Sequence, residues 1–191
     1  MSRFIRKYLV AVAAVALLPH LADARNLVYN GSFEAESAFS YGFAQNWKMN
    51  DPDDHGDAWG SAARENWRAK EGEFLMALRG TWAETGDFGG VWQEAEGRAN
   101  QAYRLTAWFW TDEAWTATTQ EMKLEFWNWD RTELLGSATL PLEDLAAEWR
   151  QRELNATSPD GTEWVRVVFN VSGAGQTGAL QLDDVVLELA P

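Results

Sequence analysis

The chain has 191 residues, with 16 Lys and Arg against 29 Asp and Glu, a formal net charge of −13 and no cysteine. An acidic chain repels phosphate backbones and anionic lipid headgroups, which argues against nucleic acid and membrane surfaces as partners. The absence of cysteine excludes disulfides, thiol nucleophiles and thiolate zinc sites.

The first 24 residues have the layout of a secretory signal peptide. Three basic residues precede an apolar run over 8–18, and the segment ends in the small-x-small cleavage pattern Ala22-Asp23-Ala24. The apolar run is too short to span a bilayer. We therefore expect residues 1–24 to be removed and the mature chain, 25–191, to be secreted or periplasmic.

The mature chain is more acidic than the whole. Subtracting the three basic residues and one acidic residue of the leader from 16 and 29 leaves 13 Lys and Arg against 28 Asp and Glu, a net charge of about −15. His55 is then the only histidine, so Ser-His-Asp catalysis and multi-histidine zinc sites are disfavoured. The remaining length suits one domain with a full hydrophobic core.

From Asn26 onward the sequence consists of short alternating apolar runs separated by Gly, Pro, Asn and Asp, without long helical periodicity. Such runs predict half-buried strands, and many of them with turn signals predict an all-β sandwich or barrel. The candidate strands are FLMALR, GVWQEA, AYRLTAWFW, EMKLEFWNW, WRQREL, EWVRVVFNV and ALQLDDVVLEL. The polar segment 50–72 is interpreted as one or two loops, and PLEDLAAEW is expected to hold one helical turn.

Three of these candidate strands pair an apolar face with a face that mixes charges and tryptophan. We expect the apolar face to enter the core and the other to present its rings. The tryptophans so assigned are Trp108, Trp110, Trp127, Trp129 and Trp164. The alternative is that a second layer or a long loop covers them. Trp108 and Trp110 can extend one platform with Trp127 and Trp129 only if their strands are neighbours.

The alternation in ALQLDDVVLEL slips by one residue across Asp183 and Asp184, which predicts a β-bulge there. Adjacent carboxylates are costly unless a cation or hydrogen bonds offset them. Glu34 of NLVYNGSFE is a further isolated acid in an apolar stretch. Because Ca²⁺ prefers carboxylate and carbonyl oxygens, these three residues are candidate ligands. The alternative is that the aspartates are solvated edge residues.

Several segments together resemble a known family. They are NLVYNGSFE at 26–34, Trp47, GGVWQEAEGRANQAYRLTAWFW at 89–110, EWRQRELNATSPDGTEWVRVVF at 148–169 and LQLDDVVLEL at 180–189. The mature chain thereby resembles carbohydrate-binding modules of the family 4, 9, 16 and 22 group. That resemblance implies a jelly roll, and a structural calcium held by Glu34 and Asp183, with Asp184 as the alternate. It also implies sugar binding by aromatics, without assigning their positions.

We therefore predict an all-β, antiparallel two-sheet β-sandwich of the jelly-roll type. The expected function is secreted, non-catalytic binding of a polysaccharide or oligosaccharide, because sugar rings stack their C–H faces on aromatic planes while nearby polar groups bond the hydroxyls. One alternative is an extracellular structural or adhesive module that binds protein through its tryptophans. Another is a glycoside hydrolase or polysaccharide lyase, although the sequence marks no facing pair of carboxylates.

Overall fold

The computed structural model describes residues 25–38, 43–49, 62–79, 89–175 and 177–190. The predicted leader, His55 and most of the polar segment 50–72 lie outside these residues. The strands are β1 Lys48–Met49, β2 Ala62–Glu65, β3 Leu75–Leu78, β4 Gly89–Glu96, β5 Ala102–Thr111, β6 Thr119–Trp127, β7 Leu134–Pro141, β8 Arg150–Thr157, β9 Trp164–Ser172 and β10 Leu180–Leu189.

Two five-stranded antiparallel sheets face each other. Sheet 1 has the order β1-β4-β9-β6-β7, and sheet 2 has the order β2-β3-β10-β5-β8. The predicted two-sheet β-sandwich of the jelly-roll type is confirmed. Most consecutive long strands lie in opposite sheets, as β5 and β6 do, whereas β6 and β7 form a hairpin within sheet 1.

The core lies between the two inner faces. The predicted apolar faces enter it: Leu105 and Phe109 of β5, Leu124 of β6 and Phe169 of β9 are fully buried. The Phe109 and Phe169 rings meet edge to face across the sandwich, with centroids 5.8 Å apart. Period-two alternation therefore assigned the inner faces of β5, β6 and β9 correctly.

The N-terminal segment closes one side of the sandwich by packing on β10. The predicted bulge is confirmed, because the β10–β5 register shifts between Asp183 and Val186. At that shift the Val185 amide donates to the Gly31 carbonyl at 2.9 Å. A side chain at Gly31 would overlap the Val185 carbonyl, which explains the glycine in NLVYNGSFE. The opening and closing segments of the resemblance are therefore direct neighbours.

Three details of the sequence interpretation change. PLEDLAAEW holds no helical turn; it contains bends and an isolated bridge between Ala146 and Glu148. Its carbonyls bond outside the segment: Leu142 accepts from the Gln120 side chain, Glu143 from the Arg152 side chain and Ala146 from the Thr111 amide. The segment 50–72 includes β2, and LLGSATLP, which carries no clear alternation, forms β7. No helix long and apolar enough to cross a membrane occurs among the residues that the structure describes.

Candidate functional site

The outer face of sheet 1 is organised in rows that run across its strands. One row pairs Trp127 of β6 with Trp164 of β9. The next row, two residues along, places Arg166 between Glu94 of β4 and Glu125 of β6. Rows so related lie about 6.6 Å apart, because the rise along a strand is about 3.3 Å per residue. Aromatic groups therefore flank a polar stripe.

A third row begins with Trp92 of β4, which the sequence interpretation did not single out. Trp92 pairs with Lys48 of β1 on one side and Val168 of β9 on the other. GVWQEA was interpreted as a strand, but its glycines and glutamine interrupt the alternation that marked the other tryptophans. The sequence does not reveal that Trp92 lies beside Lys48, because this depends on the pairing of β4 with β1.

Cations lie on the tryptophan rings of this face. The Arg166 Cζ lies 4.1 Å from the Trp92 ring centroid and 4.6 Å from that of Trp127. The Arg131 Cζ lies 3.5 Å from the Trp164 centroid. Such cation–π contacts fix the orientation of the rings and occupy one face of each. A sugar would therefore meet rings that are already immobilised.

Glu94 joins the two arginines. Its Oε1 accepts from the Arg166 Nη2 at 2.6 Å, and its Oε2 accepts from the Arg131 Nε at 3.0 Å. Burial raises the pKa of the Glu94 carboxyl, but the hydrogen bonds and charges of Arg166 and Arg131 outweigh burial, so the net pKa is lowered. Glu94 is thus a fixed, ionised acceptor at neutral pH rather than a proton donor.

A cleft of about 360 Å³ adjoins this stripe at the β4 end. Its lining includes Tyr29, Asn46, Lys48, Trp92, Glu94 and Trp164. The Tyr29 side chain is 58% exposed, and its backbone is held on both sides by the Gln93 amide, at 2.6 and 2.8 Å. The cleft therefore combines an exposed ring with fixed polar groups, as ligand sites usually do.

Trp129 stands at the rim, in the β6–β7 turn. Its side chain is 73% exposed, the largest exposure among the exposed large apolar side chains of the described residues. The turn is held by Asn128, whose Oδ1 accepts from the Thr132 and Glu133 amides, and by the Trp164 indole N–H, which donates to the Trp129 carbonyl at 3.0 Å. No Lys or Arg stacks on the Trp129 ring among the described residues, and most of its surface is open to solvent.

Trp108 and Trp110 do not share this surface. They lie on β5, on the outer face of sheet 2, so the expected platform with Trp127 and Trp129 does not form. The physical reason is the jelly-roll connection, which places the sequential strands β5 and β6 in opposite sheets. Within each strand, however, the tryptophans do lie on the face away from the core, as predicted.

The outer face of sheet 2 is covered by the segment before β3. The Lys70 Nζ lies 4.4 Å from the Trp108 ring centroid, and the Arg68 Cζ lies 4.7 Å from that of Trp110. The Trp149 ring meets the Trp110 ring edge to face at 6.0 Å. Covering of the tryptophans by a loop was the alternative kept open above, and it applies to this face.

The proposed calcium ligands hold one loop by its backbone. The Asp183 Oδ2 accepts from the amides of Lys70 and Glu71 at 2.8 and 3.2 Å, while its Oδ1 accepts from the Asp184 amide at 2.7 Å. Asp183 is fully buried, and burial raises the pKa of its carboxyl to about 6 in spite of these hydrogen bonds. The side chain belongs to the interior, not to a solvated edge.

Glu34 holds the other side of that loop and is exposed, contrary to the apolar setting expected for it. Its Oε1 accepts from the Glu73 and Phe74 amides, each at 3.0 Å. Gly72 lies between Glu71, whose amide donates to Asp183, and Glu73, whose amide donates to Glu34. It has a φ of 67°, and a side chain there would overlap the Glu34 carboxylate. Asp183 and Glu34 thus hold the 70–74 loop by hydrogen bonds to four of its backbone amides.

No group of three or more His, Cys, Asp or Glu side chains arranged to hold a metal occurs in the described ranges. The two carboxylates of Glu34 and Asp183 are the kind of oxygen ligand that Ca²⁺ accepts, and the groups that face them in the structure are backbone amides. Asp184, at a φ of 51° in the bulge, contributes its amide to Asp183.

No protein-family model and no curated protein sequence matches the chain. Solved structures match its fold. A family 16 carbohydrate-binding module has a TM-score of 0.57 and 19% identity, with 85% of this chain and 99% of that one covered. A family 61 module solved with β-1,4-galactotriose has a TM-score of 0.55 and 17% identity, with 87% and 100% covered.

The same fold recurs in proteins of other kinds. A cyclase from Fischerella sp. TAU has a TM-score of 0.64 and 13% identity, with 88% of this chain and 98% of that one covered. The enzymatically active domain of a bacteriophage CBA120 tailspike protein also reaches 0.64, at 16% identity, but the chain spans only 21% of its length. At these identities the likeness establishes the jelly-roll fold of the chain.

Proposed function

We propose that this chain is a secreted, non-catalytic carbohydrate-binding domain whose glycan lies on the outer face of sheet 1. The observation that carries the proposal is the pair of aromatic rows flanking the Glu94–Arg166–Glu125 stripe, beside a cleft of about 360 Å³. Rings that are already fixed, next to polar groups that are already oriented, lose little conformational entropy on binding a sugar.

The open rings supply stacking and the stripe supplies hydrogen bonds. Tyr29, which lines the cleft, and Trp129, whose carbonyl accepts from the Trp164 indole, are the exposed rings available to sugar C–H faces. Glu94 and Glu125 accept from hydroxyls, while Arg131 and Arg166 donate. Few such contacts offset the cost of association, so the dissociation constant should be on the order of µM to mM.

The charges of the stripe favour a neutral glycan. Arg166 is paired with Glu94 at 2.6 Å and with Glu125 at 3.7 Å, and Lys123 with Glu121 at 2.5 Å. A uronate would have to compete with these carboxylates and approach a strongly acidic chain. Carbohydrate binding by neighbours of the same fold supports the proposal, since one was solved with galactotriose and another is described as xylan-binding.

The non-catalytic part of the proposal is supported by Glu94, the carboxylate that lines the cleft. A hydrolase needs one carboxylic acid with a raised pKa to protonate the leaving group. Glu94 has a lowered pKa and is held by two arginines, so it suits binding rather than acid catalysis.

The test is a panel of soluble xylo-, cello-, manno- and galacto-oligosaccharides in calorimetry, with insoluble glycans in pull-downs. Reducing ends and unsaturated products are measured in parallel. Trp129→Ala should weaken binding about tenfold, and Leu189→Ala, an exposed apolar residue on the other sheet, should leave it unchanged. Turnover of any glycan would overturn the non-catalytic assignment, and a complete absence of binding would overturn the function.

We also propose that Glu34 and Asp183 hold a structural Ca²⁺ that joins the first segment to β10. The ion would offset the buried Asp183 charge and crosslink the 70–74 loop. Because it binds only the folded state, calcium should raise the melting temperature, and Glu34→Ala should abolish that increment while Glu133→Ala keeps it. An unchanged melting curve after chelation, with no copurifying calcium, would refute the site.

A further inference from the structure

Two buried polar atoms on the outer face of sheet 2 lack hydrogen-bond partners in the described part of the chain. They are the indole N–H of Trp110 and the side-chain carbonyl of Gln181. The two residues are paired in register on β5 and β10, so their side chains lie side by side on the same face. A donor and an acceptor are thus left open together.

The orientation of the Gln181 amide is fixed by its other end. Its Nε2 donates to the Asp112 Oδ2 at 3.2 Å. An ionised carboxylate only accepts, so turning the amide over would bring two acceptors together. The unpaired atom is therefore the carbonyl oxygen, and Gln181 is fully buried.

The surrounding charges cancel. The Arg68 Nη1 donates to the Asp112 Oδ1 at 2.7 Å, and the same aspartate accepts from the Ala179 amide at 3.1 Å. Arg68 also lies between two rings, 4.7 Å from the Trp110 centroid and 5.5 Å from the Trp67 centroid. The Arg68 side chain therefore covers the Trp110 ring, and its charge is neutralised by Asp112.

An open depression begins at this cover. It measures about 480 Å³ and is lined by Asn66, Trp67, Arg68, Ala69, Gly72 and Glu73. Trp67 is 47% exposed, and Trp149 packs against Trp110 on the inner side. The depression and the unpaired pair share the Arg68 side chain, which lines the depression and lies over the Trp110 ring.

We propose that this region is a second binding site, for a sugar unit of a neutral glycan, separate from the sheet 1 surface. A hydroxyl group accepts one hydrogen bond and donates another, so one hydroxyl satisfies Trp110 and Gln181 together. The half-exposed Trp67 ring supplies a stacking face, and entry of the sugar requires Arg68, whose side chain is 36% exposed, to leave the Trp110 ring. With sites on the outer faces of both sheets, one domain would bridge two glycan chains.

Other occupants fit these groups less well. An anion would face the Asp112 carboxylate, and a cation would face the indole N–H and Arg68. An apolar group would leave both polar atoms unsatisfied. A single water molecule has the required hydrogen bonds but uses neither ring, so it is the outcome to be separated by experiment.

The experiment follows the indole N–H signals of ¹⁵N-tryptophan-labelled protein during titration with xylohexaose and with β-1,4-galactotriose. Trp110→Phe identifies the Trp110 signal. The titration is repeated on Trp129→Ala/Trp164→Ala, in which the sheet 1 surface is disabled. We expect the Trp110 signal to shift saturably in both proteins, and trigalacturonate to cause no shift.

Two variants separate a ligand site from a structural feature. Gln181→Leu keeps the side-chain volume and removes the unpaired carbonyl together with the bond to Asp112, which keeps its bonds to Arg68 and the Ala179 amide. Trp67→Ala removes a half-exposed ring, so both variants should fold. Each should weaken the Trp110 response about tenfold, whereas Glu153→Ala, on the edge strand β8, should not.

The outcomes distinguish this inference from the proposed function. If the indole signals of the sheet 1 tryptophans shift to saturation while that of Trp110 never responds, water alone satisfies Trp110 and Gln181, and the second site is refuted. If Trp110 responds and the sheet 1 signals do not, the second site stands and the sheet 1 assignment falls. If no tryptophan responds to either sugar, both are overturned.

Discussion

The two outer faces of the sandwich carry the same kind of sequence and differ in what lies on them. On sheet 1, Arg166 and Arg131 come from the sheet and its own hairpin, and they leave a cleft and the Trp129 rim open. On sheet 2, Arg68 and Lys70 come from a separate segment that crosses the face. Tryptophans that alternate with charges therefore indicate the outer face of a strand. The course of the neighbouring loop determines how much of that face is exposed to solvent.

The fate of carboxylates shows the same contrast. Asp183 on sheet 2 is fully buried and anchors the crossing segment by its amides. Glu121 on sheet 1 pairs with Lys123 at the surface. We infer that the sheet 2 face contributes mainly to stability and the sheet 1 face mainly to ligand binding.

The largest expected effect is that of removing Asp183, which holds the segment that covers sheet 2. Asp183→Ala removes the acceptor of three backbone amides and should cost about 3 kcal/mol of unfolding free energy. Glu121→Ala should cost about 0.5 kcal/mol, as for surface ion pairs. Urea denaturation in calcium and in chelator measures both, and equal losses would contradict the division of roles.

The tryptophans give the next contrast. Trp110→Ala removes a ring packed on Trp149 and Arg68 and should cost about 3 kcal/mol of stability. Trp129→Ala should change stability by at most about 0.5 kcal/mol and weaken glycan binding about tenfold. Thermal melts and calorimetry on the two variants test this, and the reverse pattern would assign the rings the other way.

A smaller effect concerns the centre of the sheet 1 stripe. Arg166→Met removes a cation shared by two rings and two carboxylates, and should cost about 2 kcal/mol of stability as well as glycan affinity. Lys123→Met, on the same face, breaks a single surface pair and should cost about 0.5 kcal/mol. If the two substitutions have equal effects on unfolding free energy and on glycan affinity, Arg166 does not link the rings and carboxylates of the stripe as proposed.

The smallest effect is on pH. The folded pKa of Glu94 lies below its usual value of 4.5, so its stabilising interactions are complete above pH 4.5 and are lost as the pH falls through the folded pKa. Glycan affinity should therefore be constant from about pH 8 to 5 and decline only in more acid solution. Glu94→Gln should bind more weakly at every pH and lack that acid decline. A decline near pH 6 to 7 in the unchanged protein would exclude Glu94 as the controlling group.

Much of the fold is readable in the sequence, because strand alternation reports burial directly. The inner faces of β5, β6 and β9 and the bulge at Asp183 follow from the period of two and its slip. β7 escaped notice because its residues are partly exposed on both faces. A strand that buries neither side leaves no alternation to detect.

The site is less predictable, because it depends on which strands are neighbours. Trp127 and Trp164 were assigned to one kind of face, and sheet order makes them a row. The same order removes Trp108 and Trp110 from that surface and adds Trp92 and Glu94 of β4. Alternation within a strand carries no information on strand order, which long-range hydrogen bonding determines.

The most direct test of the central assignment is a crystal structure with the tightest-binding neutral oligosaccharide of the panel. The account predicts sugar density on the outer face of sheet 1, stacked on Trp129 or Tyr29, with hydroxyls within hydrogen-bond distance of Glu94 or Arg166. A bound sugar found elsewhere, with that face empty at saturating ligand, would contradict it.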